Sequence, residues 1–126
     1  MKFLKSFKYA IEGFLHCVRR ERNFRIHLLA TALVITLAAI FELQTFEIIA
    51  LIFAIALVLV CEMFNTAIER AIDAIKECSK ENETDKLDRL RKISKDVAAG
   101  AVFVSAIFAA VVGVVIFLPK ILEVLQ

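Results

Sequence analysis

Three long stretches without acidic or basic side chains constrain this chain more than any other feature. Residues 26–41, 48–61 and 97–118 contain no Asp, Glu, Lys or Arg. Such runs are typical of helices that cross a bilayer, whose core of about 30 Å takes roughly 20 helical residues. Hydrophobic residues make up 60% of the chain, whereas a soluble domain has roughly 45–50%. We predict one all-α integral membrane domain over residues 1–126, with spans near 26–42, 47–68 and 97–118.

The first 22 residues are too polar to span and instead predict an amphipathic surface helix. Their apolar residues recur at spacings of three and four, which places them on one helix face. Lysines, arginines and other polar residues occupy the remaining surface. A basic amphipathic helix beside membrane spans is typical of a segment lying in the interface. A helix packed against other protein has the same pattern, so that alternative stays open.

The basic residues are distributed unevenly along the chain. Most of the 16 Lys and Arg residues lie in residues 1–25 and in a densely charged segment, 76–95, that predicts an exposed loop, helical in part. The short turn at 42–47 has none, and the C-terminal end has only Lys120. By the positive-inside rule, the N-terminus and the charged loop are cytoplasmic and the C-terminus is outside.

A polar stripe begins inside the second span. Glu62, Asn65, Glu69 and Asp73 are spaced by three, four and four residues, which places them on one face of a helix. A carboxylate near the bilayer core costs roughly 2.5–3.5 kcal/mol on insertion scales, so it persists when it has a partner or a function. Glu62 lies where a lipid hydroxyl would lie and can serve as a general base. Glu69 lies further out, where its carboxylate oxygens suit Mg²⁺.

Two further polar groups emerge at the same predicted membrane face. Glu21 and Asn23 precede the first span, and Lys95 and Asp96 precede the third. No phosphate-binding loop of the GxxxxGK[ST] or GxGxxG type is present. The residues alone therefore predict an intramembrane acidic site facing the cytosol. A lipid enzyme, a small proton or cation transporter and a non-catalytic membrane adaptor remain open, although no polar stripe continues above Glu62 for a transporter.

The segment from Glu62 to Asp73, EMFNTAIERAID, resembles the signature of the prokaryotic diacylglycerol kinase family, E-x-x-N-[ST]-[SA]-[LIV]-E-x-x-[LIV]-D. The flanking segments ERNFRIH, SKDVAAGAV and IFLPK resemble the Gram-positive branch, which acts mainly as an undecaprenol kinase. The resemblance extends from about Lys5 to Lys120. It implies ATP-dependent phosphorylation of a membrane lipid alcohol, with undecaprenol favoured and diacylglycerol as the alternative.

The resemblance also implies roles for individual residues and for the assembly. A homotrimer in the bacterial inner membrane is expected, with active sites shared between subunits, and no nucleic acid is expected as a partner. Magnesium would accompany ATP. The implied roles are Glu62 as general base and Asn65 as its catalytic neighbour; Glu21 and Glu69 as ligands of Mg²⁺ and ATP; Tyr9, Lys95 and Asp96 as further ATP contacts; Lys5, Asn23, Phe24 and Arg25 beside the lipid; and Asp73 as support.

Overall fold

The computed structural model describes residues 2–78 and 85–126, with the side chains of residues 2–4 excepted. These ranges form four α-helices. Three of the helices contain a stretch that is long and apolar enough to cross a membrane. The helices are α1 (Lys2–Arg20), α2 (Arg22–Ile40), α3 (Thr45–Cys78) and α4 (Asp85–Val124).

The junction between α1 and α2 is a one-residue break at Glu21. Its backbone is extended, with φ −97° and ψ 118°, and its side chain makes no capping hydrogen bond to α2. Residue 22, predicted to end the surface helix, therefore begins α2 instead. Phe24, just inside α2, is fully buried and packs edge to face on Phe14 of α1 with ring centroids 5.5 Å apart. This contact packs α1 against the N-terminal end of α2.

The turn between α2 and α3 lies at the opposite end of the molecule. Glu42 has φ 47°, in the left-handed region that favours glycine. The Gln44 backbone N–H donates to Glu47 Oε2 at 2.8 Å, and the same carboxylate oxygen lies 3.2 Å from Lys120 Nζ of α4. A small apolar cluster beside this turn packs together the ends of α2, α3 and α4 that lie there. Its buried members are Leu43, Leu51, Ile116 and Phe117.

Helices α3 and α4 form the most extensively packed pair and run as a hairpin. At about 1.5 Å per residue, their 34 and 40 residues reach roughly 51 and 60 Å, well beyond a bilayer core of about 30 Å. Most large apolar side chains of the spans are exposed in the single chain, as for Leu29, Phe53 and Phe103. Lipid or further protein would cover such surfaces in a membrane.

The structure gives the helix ends around the charged segment and near the C-terminus. The charged segment, predicted as an exposed loop that is helical in part, contains the end of α3 at Cys78 and the start of α4 at Asp85. Its Asp85 and Asp88 occupy the first turn of α4, where the helix dipole favours acidic groups. Pro119, just past the predicted span 97–118, lies within α4, which continues to Val124. A proline removes one helical hydrogen bond, and α4 tolerates this loss close to its end.

Candidate functional site

The polar stripe of α3 is buried at its membrane end and exposed at its far end. Glu62, Asn65 and Thr66 are 3%, 8% and 6% exposed, Glu69 is half-buried, and Asp73 is exposed. The helix predicted from the spacing is present and uninterrupted across all of these residues. The stripe therefore carries polar groups from a dry interior to the surface along a single rigid element.

Glu62 contacts His27 of α2 in the wall of a cavity of about 300 Å³. The Glu62 Oε1 and His27 Nε2 atoms are 3.4 Å apart, and the side chains are 4% and 24% exposed. Asn23 and Asn65 also line this cavity, and the rest of its wall is mainly apolar, with Val102, Phe103 and Ala106 of α4 among its residues. A buried carboxylate with one hydrogen-bond partner and adjoining space is suited to accept a proton from a bound hydroxyl.

Asn65 is hydrogen-bonded to the next acidic residue of the stripe, Glu69. Its side-chain amide Nδ2 donates to Glu69 Oε1 at 3.1 Å. Its Oδ1 is buried and has no hydrogen-bond partner within the described parts of the chain. A buried acceptor without a partner is costly, so this oxygen is available to a ligand at the site. Asn65 therefore both orients Glu69 and presents a second oxygen beside it.

Glu21 reaches this group from the break between α1 and α2. Arg70 Nη2 donates to Glu21 Oε1 at 2.9 Å, which joins the break to α3. Glu21 and Glu69 both lie close enough to Glu62 to interact with it electrostatically. Three carboxylates from two segments are thus drawn together near the N-terminal end of α2, with Arg70 as a neutralising charge.

The residues present fit a magnesium ion shared with phosphate groups. Within the described ranges, no three His, Cys, Asp or Glu side chains are arranged as a complete metal site. Mg²⁺ usually takes only one or two carboxylates and completes its shell with water and substrate phosphates. Glu21, Glu69 and the buried Asn65 oxygen Oδ1 supply oxygen donors of that kind.

A second polar cavity, of about 230 Å³, lies further along the α3 and α4 hairpin. Lys95 Nζ donates to Asp73 Oδ1, and both residues line this cavity together with Asp96. The hydrogen bond from Lys95 lowers the pKa of the Asp73 carboxyl, which lies beyond the predicted span. Buried Arg91 and exposed Lys76 and Lys92 add positive charge to the same wall. The sequence grouped Lys95 with Asp96, and the structure adds Asp73 as their neighbour.

The remaining predicted site residues lie in different environments: at the cavity, on the surface or in the packed interior. Asn23 lines the Glu62 cavity, whereas Arg25 is exposed on α2. Lys5 and Tyr9 lie on the exposed surface of α1, with Tyr9 66% exposed. Phe24 is fully buried on Phe14, so its ring packs α1 against α2 and presents no surface to a lipid. The lipid contact expected for Phe24 is therefore replaced by a structural role.

Sequence reasoning missed the partners that hold the stripe in place. His27 was grouped only with the strip before the first span, although it is the one titratable residue within the uncharged run 26–41. Its position as a lone titratable residue in an apolar run is the sequence feature that could have indicated a buried acidic partner. Cys17 of α1 is buried in hydrogen-bonding contact with Thr66, and burial raises the pKa of its thiol. Apart from its charge, no feature of the sequence marked Arg70 as the partner of Glu21.

Comparison with known proteins identifies similar sequences along most of the chain. A family model described as prokaryotic diacylglycerol kinase matches residues 8–117. An undecaprenol kinase of Bacillus subtilis (strain 168) is 39% identical over 119 residues, covering 94% of this chain and 90% of the relative. A diacylglycerol kinase of Synechocystis sp. (strain ATCC 27184 / PCC 6803 / Kazusa) is 38% identical over 120 residues, covering 95% of this chain and 65% of the relative.

Proposed function

The chain belongs to the prokaryotic diacylglycerol kinase family and is a membrane-embedded lipid kinase, and from that premise we propose that it transfers phosphate from ATP to undecaprenol. The product would be undecaprenyl phosphate. The observation that carries the proposal is the buried Glu62 carboxylate, held by His27 beside a cavity of about 300 Å³. The similarity to an undecaprenol kinase along 94% of the chain supports undecaprenol as the acceptor.

In this proposal Glu62 takes the proton of the lipid hydroxyl as that oxygen attacks the terminal phosphate of ATP. Phosphoryl transfer demands positioning and charge neutralisation more than covalent help from the protein. Asn65 holds Glu69, and Arg70 holds Glu21, so both carboxylates stay oriented toward the phosphates. Lys95, Asp96 and Tyr9 would contact the nucleotide, and Asp73 would hold Lys95 in place.

Glu21 and Glu69 would hold a magnesium ion together with the ATP phosphates. When bound, the ion neutralises phosphate charge and orients the phosphoryl group. The protein side of that site needs two carboxylates that remain ionised and close together. Arg70 provides the compensating charge, because its guanidinium bonds Glu21 directly and is electrostatically coupled to Glu69.

The assembly we propose is a homotrimer in the bacterial inner membrane, with its N-terminus in the cytoplasm. The single chain supports a shared site, since its α1 residues Lys5 and Tyr9 are exposed rather than turned into the Glu62 cavity. In a trimer, such residues would complete the site of a neighbouring subunit. The basic residues near the N-terminus and along the inner ends of α3 and α4 support the orientation.

The test is transfer of labelled phosphate from Mg-ATP by the purified protein in lipid micelles. Undecaprenol and diacylglycerol are supplied separately, since the Synechocystis relative makes diacylglycerol the second candidate. Glu62→Gln keeps the side-chain size and removes the base, while Glu123→Gln, at an exposed position, is the matched control. We expect faster labelling of undecaprenol, loss of labelling in Glu62→Gln and unchanged labelling in Glu123→Gln.

Each other outcome separates the alternatives. Preference for diacylglycerol would keep the mechanism and change the acceptor. Labelling that survives Glu62→Gln would remove Glu62 from its role as base. Absence of labelling with either lipid would contradict the acceptors proposed here, and a proton-flux measurement in liposomes would then test the transporter alternative.

A further inference from the structure

A long apolar groove of about 420 Å³ lies between α2, α3 and α4, within the predicted spans. Its walls are almost wholly hydrocarbon, with Thr31 and His27 as the polar exceptions. The α4 wall is built from small residues, namely Ala106, Ala109, Ala110 and Gly113, which leave the space open between the helices. At the end away from His27, Leu37 and Phe117 close the groove.

The groove is continuous with the Glu62 cavity. Ile26, His27 and Ala106 line both spaces, so the two meet at the side chain that bonds Glu62. A lipid alcohol consists of a hydroxyl joined to a hydrocarbon chain. When the hydroxyl lies at Glu62, the chain has to leave the polar cavity through apolar surroundings, and this groove begins at that point.

The groove has a defined length. It extends along α2 from Ile26 to Leu37 and along α4 from Ala106 to Phe117, each about 16 Å at ~1.5 Å per residue. With C–C bonds of about 1.5 Å, an extended carbon chain advances about 1.3 Å per bond, so the groove holds about twelve chain carbons. Four chain carbons make one isoprene unit, and the groove therefore accommodates about three units.

Gly113 lies near the far end of this space. A Cβ atom added to it would meet nothing within 4 Å, and because Gly113 lines the groove we expect a larger side chain there to occupy part of that space. Gly100, on the same helix, also has open space around an added Cβ but does not line the groove. The two glycines offer a matched pair of positions for the same substitution.

We propose that this groove binds the first three or so isoprene units of the substrate alcohol and that Gly113 sets the chain length bound beside Glu62. The proposal rests on the proposed function, because it assigns the chain of the alcohol whose hydroxyl Glu62 deprotonates. It makes the groove the part of the enzyme that discriminates hydrocarbon length, while Glu62 and His27 contact the end common to all substrates.

The first experiment compares Gly113→Leu with Gly100→Leu on prenols of two, three and eleven isoprene units. We expect Gly113→Leu to phosphorylate the two-unit alcohol like the parent and to raise the KM for the longer alcohols about tenfold, the effect of displacing roughly two CH₂ groups from the groove. Gly100→Leu should leave the ratio between chain lengths unchanged. An equal loss for all lengths in Gly113→Leu would overturn the proposal.

A second experiment does not depend on kinase activity. Ala110→Cys, placed in the groove wall of a chain whose three native cysteines are replaced by alanine, is labelled in micelles with an apolar thiol reagent. The proposal predicts that undecaprenol slows this labelling and that the two-unit prenol does so less. Labelling indifferent to prenols, or a disulfide between the introduced thiols of two subunits, would show that no chain or a second copy occupies the groove. Protection without phosphorylation would uphold the groove and contradict the proposed function.

Discussion

Replacing His27 with alanine removes the contact that holds the Glu62 carboxylate in the site cavity. His27 Nε2 lies 3.4 Å from Glu62 Oε1, and Glu62 has only 4% of its side chain exposed, so water replaces the lost partner poorly. A hydrogen bond to a charged group contributes roughly 1.5–3 kcal/mol. Because 3.4 Å is a long contact, we take the lower end, about 1.5 kcal/mol.

We therefore expect kcat to fall about tenfold in His27→Ala, since each ~1.4 kcal/mol is tenfold in rate. The KM for ATP should change little, because His27 is on the lipid side of the site. His27→Gln supplies an amide donor and should recover most of the activity. The assay is labelled-phosphate transfer from Mg-ATP under saturating lipid, with kcat and KM measured separately.

His16 provides the control, because it is the other histidine of the chain and is exposed on α1. His16→Ala should keep the parental kcat. The reasoning is refuted when His27→Ala turns over at the parental rate. It is also refuted when His27→Gln is as impaired as His27→Ala, since the histidine would then act through something other than its hydrogen bond.

Three further predictions test the surroundings of the site. Glu42→Gly should raise the unfolding midpoint in micelles by relieving about 1 kcal/mol of left-handed strain at φ 47°, while Glu42→Ala should not. The hydrogen bond from Lys95 keeps the folded pKa of Asp73 below its unfolded value of about 3.8. This stabilisation is therefore complete above that pH and is lost as pH falls through the folded pKa. Asp73→Asn should flatten the dependence of stability on pH only below about pH 4, and a flattening at neutral pH would contradict this. Maleimide should label exposed Cys78 quickly and buried Cys17, whose thiol pKa is raised by burial, far more slowly; equal rates would show that α1 does not pack on α3.

The sequence predicted the parts of the fold that depend on local periodicity. Uncharged runs located the apolar helices, and spacings of three and four located the stripe from Glu62 to Asp73. The charged segment was predicted as an exposed loop, helical in part, but its charge density did not locate the start of α4, whose first turn carries Asp85 and Asp88. Charge content alone does not distinguish a loop from a solvated helix.

Contacts between helices were beyond the reach of the sequence. That His27 meets Glu62 and that Phe24 packs on Phe14 depend on how α2 is rotated and shifted against its neighbours. Periodicity gives the face of a helix but not its register against another helix. The same limit explains why Arg70 was not recognised as the partner of Glu21, which lies 49 positions earlier in the chain.

The uninterrupted course of α3 has a mechanical consequence. Glu62 and Asp73 are eleven residues apart on one helix, a distance of about 16 Å along its axis. The spacing between the buried end of the stripe and its exposed end is therefore set by the covalent geometry of one helix. It does not vary with loop conformation. Sliding α3 along the membrane normal would therefore carry both ends together and change only their depth in the bilayer. The depth at which a membrane holds α3 therefore sets the depth of both ends of the stripe at once.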